Sequence, residues 1–284
     1  TGRAHERARG SQEDSPAPEG DGEFIKGRHT PRCHQTQEGS PKQGNRQTNS
    51  QRNQEGHHVT SPQEIFVYPD HDTLAAAIAA RFVIAISDAQ TARGIAHVSL
   101  TGGRGGTSAL AATLAEPAAG AIDWGRVDFW WSDERFLPAG DPERNETGAR
   151  EAFLDHIPDL PKKVHYMPRL GEEYGDDVDA AAAGYAQELL DAFGGEPAVF
   201  DVSLLGIGED AHVASLFPGR EEQFAQAACV SVRDSPKPPP TRTTFNMTTI
   251  QSSREVWLIA SGTGKADAIK LATSGVSAKD APAG

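Results

Sequence analysis

Two carboxylates and an imidazole fall within the run Glu209-Asp210-Ala211-His212, just after the apolar stretch Val202-Ser203-Leu204-Leu205 and the pair Gly206 and Gly208. Histidine is the side chain that exchanges protons near neutral pH, and a neighbouring carboxylate fixes which ring nitrogen carries the proton. With Asp210 or Glu209 in that role, the other nitrogen of His212 is left to take a proton from water. Two other readings fit the same residues. Gly206, Gly208 and Ala211 satisfy the dinucleotide spacing G-x-G-x-x-A, but Pro218 and Gly219 would stop a following helix after about two turns, short for a crossover helix. A lone histidine also often packs beneath a turn with no chemistry to perform.

Three further stretches carry polar chemistry. Thr101-Gly102-Gly103-Arg104-Gly105-Gly106-Thr107-Ser108 follows a short apolar run and precedes a helical pattern. Glycines at such a turn let backbone N–H groups approach an anion at a helix N-terminus, although glycine clusters also mark plain loops. No lysine stands at Walker A spacing, which disfavours a nucleoside triphosphate. Ser132-Asp133-Glu134-Arg135 places an arginine just beyond an aromatic run, suited to a bidentate phosphate contact or to a rim salt bridge with its acidic neighbours. In Asp234-Ser235-Pro236-Lys237-Pro238-Pro239-Pro240-Thr241-Arg242 three consecutive prolines predict a stiff, extended segment that presents Lys237 and Arg242, or a proline-rich ligand or linker.

The elements that position these stretches alternate between strand and helix. Strands are expected at Ile65 to Tyr68, His97 to Leu100, Val127 to Trp131, Val164 to Met167, from Phe200, at Cys229 to Val232, Thr243 to Met247 and Val256 to Ala260. Asp70 or Asp72 caps a helix whose stripe is Leu74, Ile78, Phe82 and Ile86. The acidic run Glu172 to Asp179 opens an alanine-rich helix that ends before Gly194-Gly195. The alternation predicts an α/β fold: a three-layer sandwich with a mostly parallel, Rossmann-like sheet, whose ligands bind at the carboxyl ends of the strands.

Residues 1–62 are different in kind: Gln, Gly, Ser, Arg, Glu and His dominate, and a disordered low-complexity tail is expected there. The α/β domain is expected over residues 63–284. A net charge of −13 argues against nucleic-acid and membrane-surface partners. Local basic residues can still set the field of a cleft. The two cysteines, Cys33 and Cys229, form neither a disulfide framework nor a zinc spacing, which suits a reducing cytoplasm.

The stretch "LLGIGEDAHVASLFPG" closely resembles the signature of 6-phosphogluconolactonases. "LTGGRGGTSAL", "FWWSDERFLPAGDPERNETGAREAFLDHI" and "DSPKPPPTR" agree with that family in the same order and at similar spacing, so the resemblance spans about Ile65 to Ala283 and looks actinobacterial. It implies hydrolysis of 6-phospho-D-glucono-1,5-lactone, a small-molecule substrate, in the cytoplasm, by a monomer or weak homo-oligomer that needs no metal and no other cofactor. It implies His212 as general base with Asp210 orienting it, and substrate contacts from Gly102, Gly103, Arg104, Gly106, Thr107, Asp133, Arg135, Lys237 and Arg242. Asn145 would pin the loop behind them. Two departures stand out. Ala211 replaces the glycine that relatives carry before the histidine, at a cost of about 1 kcal/mol if that position needs positive φ. Relatives also continue past Pro282 with a further strand and helix, so an exposed sheet edge is expected.

Overall fold

The computed structural model describes residues 22–28, 63–157 and 164–284. Its elements, in chain order, begin with strands β1 (Gly22–Arg28) and β2 (Gln63–Tyr68), helix α1 (His71–Arg93), strand β3 (Ala96–Leu100) and helix α2 (Gly103–Thr113). Strands β4 (Val127–Trp131) and β5 (Asp133–Arg135) come next, then helices α3 (Asn145–Ala152) and α4 (Val178–Ala192) and strand β6 (Val202–Gly206). The chain continues with β7 (Cys229–Val232), β8 (Arg242–Phe245), α5 (Met247–Gln251), β9 (Glu255–Ser261) and α6 (Ala266–Ala272).

Six strands form the central sheet in the order β2-β1-β9-β6-β3-β4, with β9, β6, β3 and β4 mutually parallel and β1 antiparallel to both neighbours. The parallel strands β3, β4 and β6 are mainly apolar and almost wholly buried on both faces, as a sheet covered on two sides requires. Alternation along β4 shows the two layers: Phe129 meets Trp124 and Phe153 on one face, while Trp130 stacks on His165 at 3.6 Å and meets Tyr185 of α4 on the other. Helix α1 carries the expected stripe, and Phe82 lies edge-on to Trp257 of β9. Asp70 caps it by accepting from the Thr73 N–H at 2.7 Å, and Gly94, at φ +78°, ends it. A second, antiparallel sheet, β5-β8-β7, stands beyond the end of β4.

Two expectations need correction, and one disfavoured alternative falls away. Gly22–Arg28 lies inside the segment expected to be disordered, yet it fills the position between β2 and β9 with a continuous ladder on each side. Composition counts apolar side chains and misses backbone pairing. Lys26 adds its own anchor, an ion pair with Glu255 at 2.9 Å beside the Trp257 ring. The other residues of 1–62 lie outside the described set. Val164 to Met167 makes one isolated bridge, Val164 to Phe129, rather than a strand. After Gly208 the chain folds into turns with no helix before Pro218, which removes the dinucleotide-binding reading. The sheet's edges are β2 and β4, and β9 is paired on both sides.

Candidate active site

Parallel strands β3, β6 and β9 deliver their carboxyl ends to one edge. The strand order reverses between β3, which leads to β4 on one side, and β6, which leads to β9 on the other. Open α/β sheets bind ligands at that reversal, and here it holds the glycine turn after β3 and the acidic-histidine stretch after β6. The Gly206 N–H joins the two by donating to Thr101 Oγ1 at 3.3 Å.

The stretch after β6 is a tight hairpin. Ile207 bridges Val213, the Gly208 N–H donates to the His212 carbonyl at 2.9 Å, and the Ala211 N–H donates to the Gly208 carbonyl at 3.0 Å. This closure sets Ala211 at φ +61° with no exposed surface. The position therefore has the left-handed backbone that favours glycine, and alanine occupies it under strain. Gly208 is required for a different reason. A Cβ there would lie 2.0 Å from His212 Nδ1 and 2.5 Å from Asp210 Oδ1, so the imidazole rests on bare backbone.

His212 Nδ1 lies 2.5 Å from Asp210 Oδ1. A carboxylate accepts, so Nδ1 carries the proton and Nε2 keeps its lone pair. Burial pushes the imidazole below its ordinary 6.5, with Asp210 pulling the other way and the Lys237 charge adding to the depression. For Asp210 burial raises the carboxyl, but His212, a backbone N–H and Lys237 together outweigh it and hold it below the ordinary value. Lys237 Nζ is 3.3 Å from the same Asp210 oxygen. The centre is thus a neutral imidazole braced by an ionised carboxylate, with a cation behind. Glu209, the other candidate for bracing the ring, is exposed and faces Gly264, where an added Cβ would be 3.4 Å from its Oε1.

Asp133 is buried and both its oxygens are engaged: Ser215 Oγ donates at 2.7 Å and Asn145 Nδ2 at 3.3 Å. It ties β5, the start of α3 and the loop after His212 together. Glu134 is buried beside it and accepts from the backbone N–H groups of Arg135, Asn145 and Glu146, so it caps α3 from a distance. Burial pushes Glu134 up to about 7 against the pull of Arg144 and those N–H groups. Arg135 donates from Nη1 to the Glu143 carbonyl, and its Nε is buried with no partner among the described residues.

Arg242 sits opposite Arg135 in the β5–β8 register and is 4% exposed. Its donors go to Pro239 O at 3.1 Å, Lys237 O and Pro238 O at 3.0 Å each, and Ser215 Oγ at 3.4 Å. The proline segment is therefore curled around Arg242, closed by Ser235 N–H to Pro240 O at 2.9 Å, and is not an extended rod. Lys237 is delivered to the site by this loop, while Arg242 braces it from behind.

Gly102 is the N-cap of α2 and supplies no side-chain cap bond, so the first N–H groups of the helix stay unengaged by a side chain. A Cβ on Gly102 would lie 1.8 Å from Asn145 Oδ1, and one on Gly106 would lie 2.7 Å from Thr101 Cγ2, so both glycines are dictated by close approach. Gly103 has φ +76°. Thr107 is half-buried, and Arg104 is exposed with no side-chain partner among the described residues.

Some neighbours at this edge had no sequence signal. Lys265, in the turn after β9, is half-buried and unpaired among the described residues. Ser261-Gly262-Thr263-Gly264-Lys265 carries no spacing that marks it as part of the site, although Gly264 lies against Glu209. Ser215 was hidden inside the family signature. His71, whose ring bridges two serines, sits in a helix start that looked purely structural. Among the described residues no group of three or more His, Cys, Asp or Glu side chains is placed to hold a metal ion, and no helix is long and apolar enough to cross a membrane.

Comparison with known proteins places the chain in a family. The family model of glucosamine-6-phosphate isomerases/6-phosphogluconolactonase matches residues 69–284. A 6-phosphogluconolactonase of Streptomyces coelicolor is 51% identical over 225 residues, covering 78% of this chain and 86% of that protein. One from Mycobacterium tuberculosis is 45% identical over 223 residues, covering 77% and 89%. Among solved structures, 6-phosphogluconolactonase from Trypanosoma brucei superposes with a TM-score of 0.60 at 26% identity, over 75% of this chain and 87% of that one. A monomeric glucosamine-6-phosphate deaminase shares the fold, with a TM-score of 0.60 at 22% identity over 75% and 88%. With a family model covering most of the chain and actinobacterial relatives at this level of identity, the protein belongs to the glucosamine-6-phosphate isomerase/6-phosphogluconolactonase family.

Proposed function

We propose that the protein hydrolyses 6-phospho-D-glucono-1,5-lactone to 6-phospho-D-gluconate, with His212 as general base. The observation that carries this reading is the 2.5 Å contact between Asp210 and His212 Nδ1, which leaves Nε2 unprotonated at the strand-order reversal. Its relatives named 6-phosphogluconolactonase set the substrate.

The reaction follows from these groups. Nε2 takes a proton from water as the water oxygen bonds to the lactone carbonyl carbon, and the carbonyl electrons move onto oxygen. The tetrahedral centre collapses, the ring C–O bond breaks, and the imidazolium returns its proton to the departing ring oxygen. Asp210 stabilises the imidazolium while it exists. The hairpin N–H groups of Gly208 and Ala211 are engaged within the hairpin, so the Lys237 ammonium is the donor best placed to meet developing negative charge. At the phosphate end, the N-terminus of α2 with Gly102, Gly103, Gly106 and Thr107, the exposed Arg104, Lys265 and Arg135 offer N–H groups and positive charge. Asp133 and Arg242 act on the substrate indirectly, by holding Ser215 and Lys237. An ionised sugar phosphate does not cross a bilayer, which supports a cytoplasmic site of action.

The test generates the lactone in situ at slightly acidic pH, where spontaneous hydrolysis is slower, and follows its loss with and without the protein. Acceleration well above the spontaneous rate is expected. No acceleration by folded protein, or ammonia release from glucosamine 6-phosphate, would overturn the assignment.

A further inference from the structure

His71 occupies the first position of α1, yet the cap of that helix is made by Asp70, so helix initiation does not need the imidazole. Its ring is used elsewhere. Nδ1 lies 2.9 Å from Ser261 Oγ and Nε2 lies 2.9 Å from Ser108 Oγ. A serine hydroxyl both donates and accepts, so the bridge forms with either tautomer of the ring. Ser108 lies midway along α2, one turn beyond Arg104, and Ser261 ends β9, just before Gly262-Thr263-Gly264-Lys265. One half-buried imidazole therefore links α2, which follows β3, to the end of β9, and β3 and β9 flank β6 on opposite sides.

The turn after β9 reaches the catalytic hairpin, and α2 packs against β9 itself. A Cβ on Gly264 would lie 3.4 Å from Glu209 Oε1, and one on Gly105 would lie 3.0 Å from Ile259 Cγ2 of β9. Arg104 of α2 and Lys265 of the turn after β9 have no partner among the described residues. The His71 bridge links the elements that carry them without engaging either charge.

We propose that His71 is a positioning residue: through Ser108 and Ser261 it sets the spacing between α2, which carries Arg104, and the turn that carries Lys265, and thereby the affinity for the phosphate end of the substrate. This rests on the lactonase reading given above. The hairpin carrying His212 makes no bond to the tether, so the effect falls on binding and leaves the chemical step alone.

The experiment compares wild type with His71→Ala, Ser108→Ala, Ser261→Ala and His71→Gln. It measures kcat and KM on the phosphorylated lactone and on unphosphorylated glucono-1,5-lactone, the calorimetric Kd for 6-phosphogluconate, and the thermal midpoint. His71→Ala is expected to raise KM and Kd for the phosphorylated ligands by about fivefold or more, with kcat within about twofold and the unphosphorylated lactone unaffected. Either serine variant should reproduce part of the effect, and adding His71→Ala to the Ser108→Ala/Ser261→Ala pair should add little. His71→Gln, which keeps a donor and an acceptor, should recover part of the loss. Unchanged KM and Kd, or equal impairment of both lactones, would overturn the proposal. If the wild type shows no lactonase activity, the function reading fails on its own, and 6-phosphogluconate binding still decides the role of His71. The serine variants remove one hydroxyl each and keep the test open should His71→Ala fail to fold.

Discussion

Ala211 is the position where sequence and backbone disagree, and the disagreement has a computable size. Its φ of +61° is one that L-residues other than Gly, Asn and Asp seldom adopt, at a cost of roughly 1–2 kcal/mol. Ala211→Gly removes that strain. It also removes a methyl group that is fully buried, worth about 0.8 kcal/mol, and gives the unfolded chain extra freedom worth about 0.4–1 kcal/mol. The terms nearly cancel, so Ala211→Gly should change the unfolding free energy by less than about 1 kcal/mol. The hairpin is closed by backbone bonds, Gly208 N–H to His212 O and Ala211 N–H to Gly208 O, so activity should stay within about threefold of wild type. Ala211→Val is the contrasting perturbation. A β-branched side chain in the left-handed region, at a fully buried site, adds overpacking of about 1–3 kcal/mol to a larger strain. Its stability loss should therefore exceed about 3 kcal/mol, with activity falling as His212 loses its seat. Urea unfolding of the three proteins, with lactone hydrolysis on the same samples, provides the comparison. A loss above about 2 kcal/mol for Ala211→Gly, or a tolerated valine, would refute the argument from strain.

Gly208→Ala should reduce lactonase turnover by about a hundredfold or more while moving the melting temperature little, because its Cβ would fall 2.0 Å from His212 Nδ1 and evict the ring; near-normal turnover would show that the imidazole works from another position. Arg242→Lys loses the planar fork that reaches Pro239 O, Lys237 O and Pro238 O, so a stability loss of about 2–4 kcal/mol is expected, and an unchanged denaturation midpoint would contradict the bracing role. Burial depresses the His212 pKa below 6.5, so the base form persists below that pH, and kcat/KM should fall only as pH drops through the depressed value. The same sign holds for folding: the stability His212 contributes is present above 6.5 and is lost as pH falls through its folded-state value. An acid limb centred at or above 6.5 would count against His212 as the base.

What the sequence made legible was local. The strand ends and the glycines that follow them can be read from apolar runs and breakers, and so can the adjacency of Asp210 and His212. Asp70, one of two candidate caps in the sequence, marks the start of α1 because a cap is a short-range device. Long-range commitments were not legible. Arg242 looked like a free cation because nothing in "PPPTR" reveals that the loop closes around its guanidinium. Asp133 looked like a ligand for substrate, and only the fold brings Ser215 and Asn145 to its two oxygens. Gly22–Arg28 was lost in polar composition because a strand between two others is held by backbone bonds that side-chain statistics do not count. His71 joins partners 37 and 190 residues away, a distance no local pattern spans.

The central claim is that Nε2 of His212 takes the proton from water. Its most direct test is single-turnover hydrolysis of the phosphorylated lactone by His212→Gln against wild type, with 6-phosphogluconate affinity measured on both. A rate loss of at least about a hundredfold with affinity preserved is the predicted result. A variant that hydrolyses the lactone within about tenfold of wild type would contradict it, and the base would have to be sought elsewhere at the carboxyl edge of the sheet.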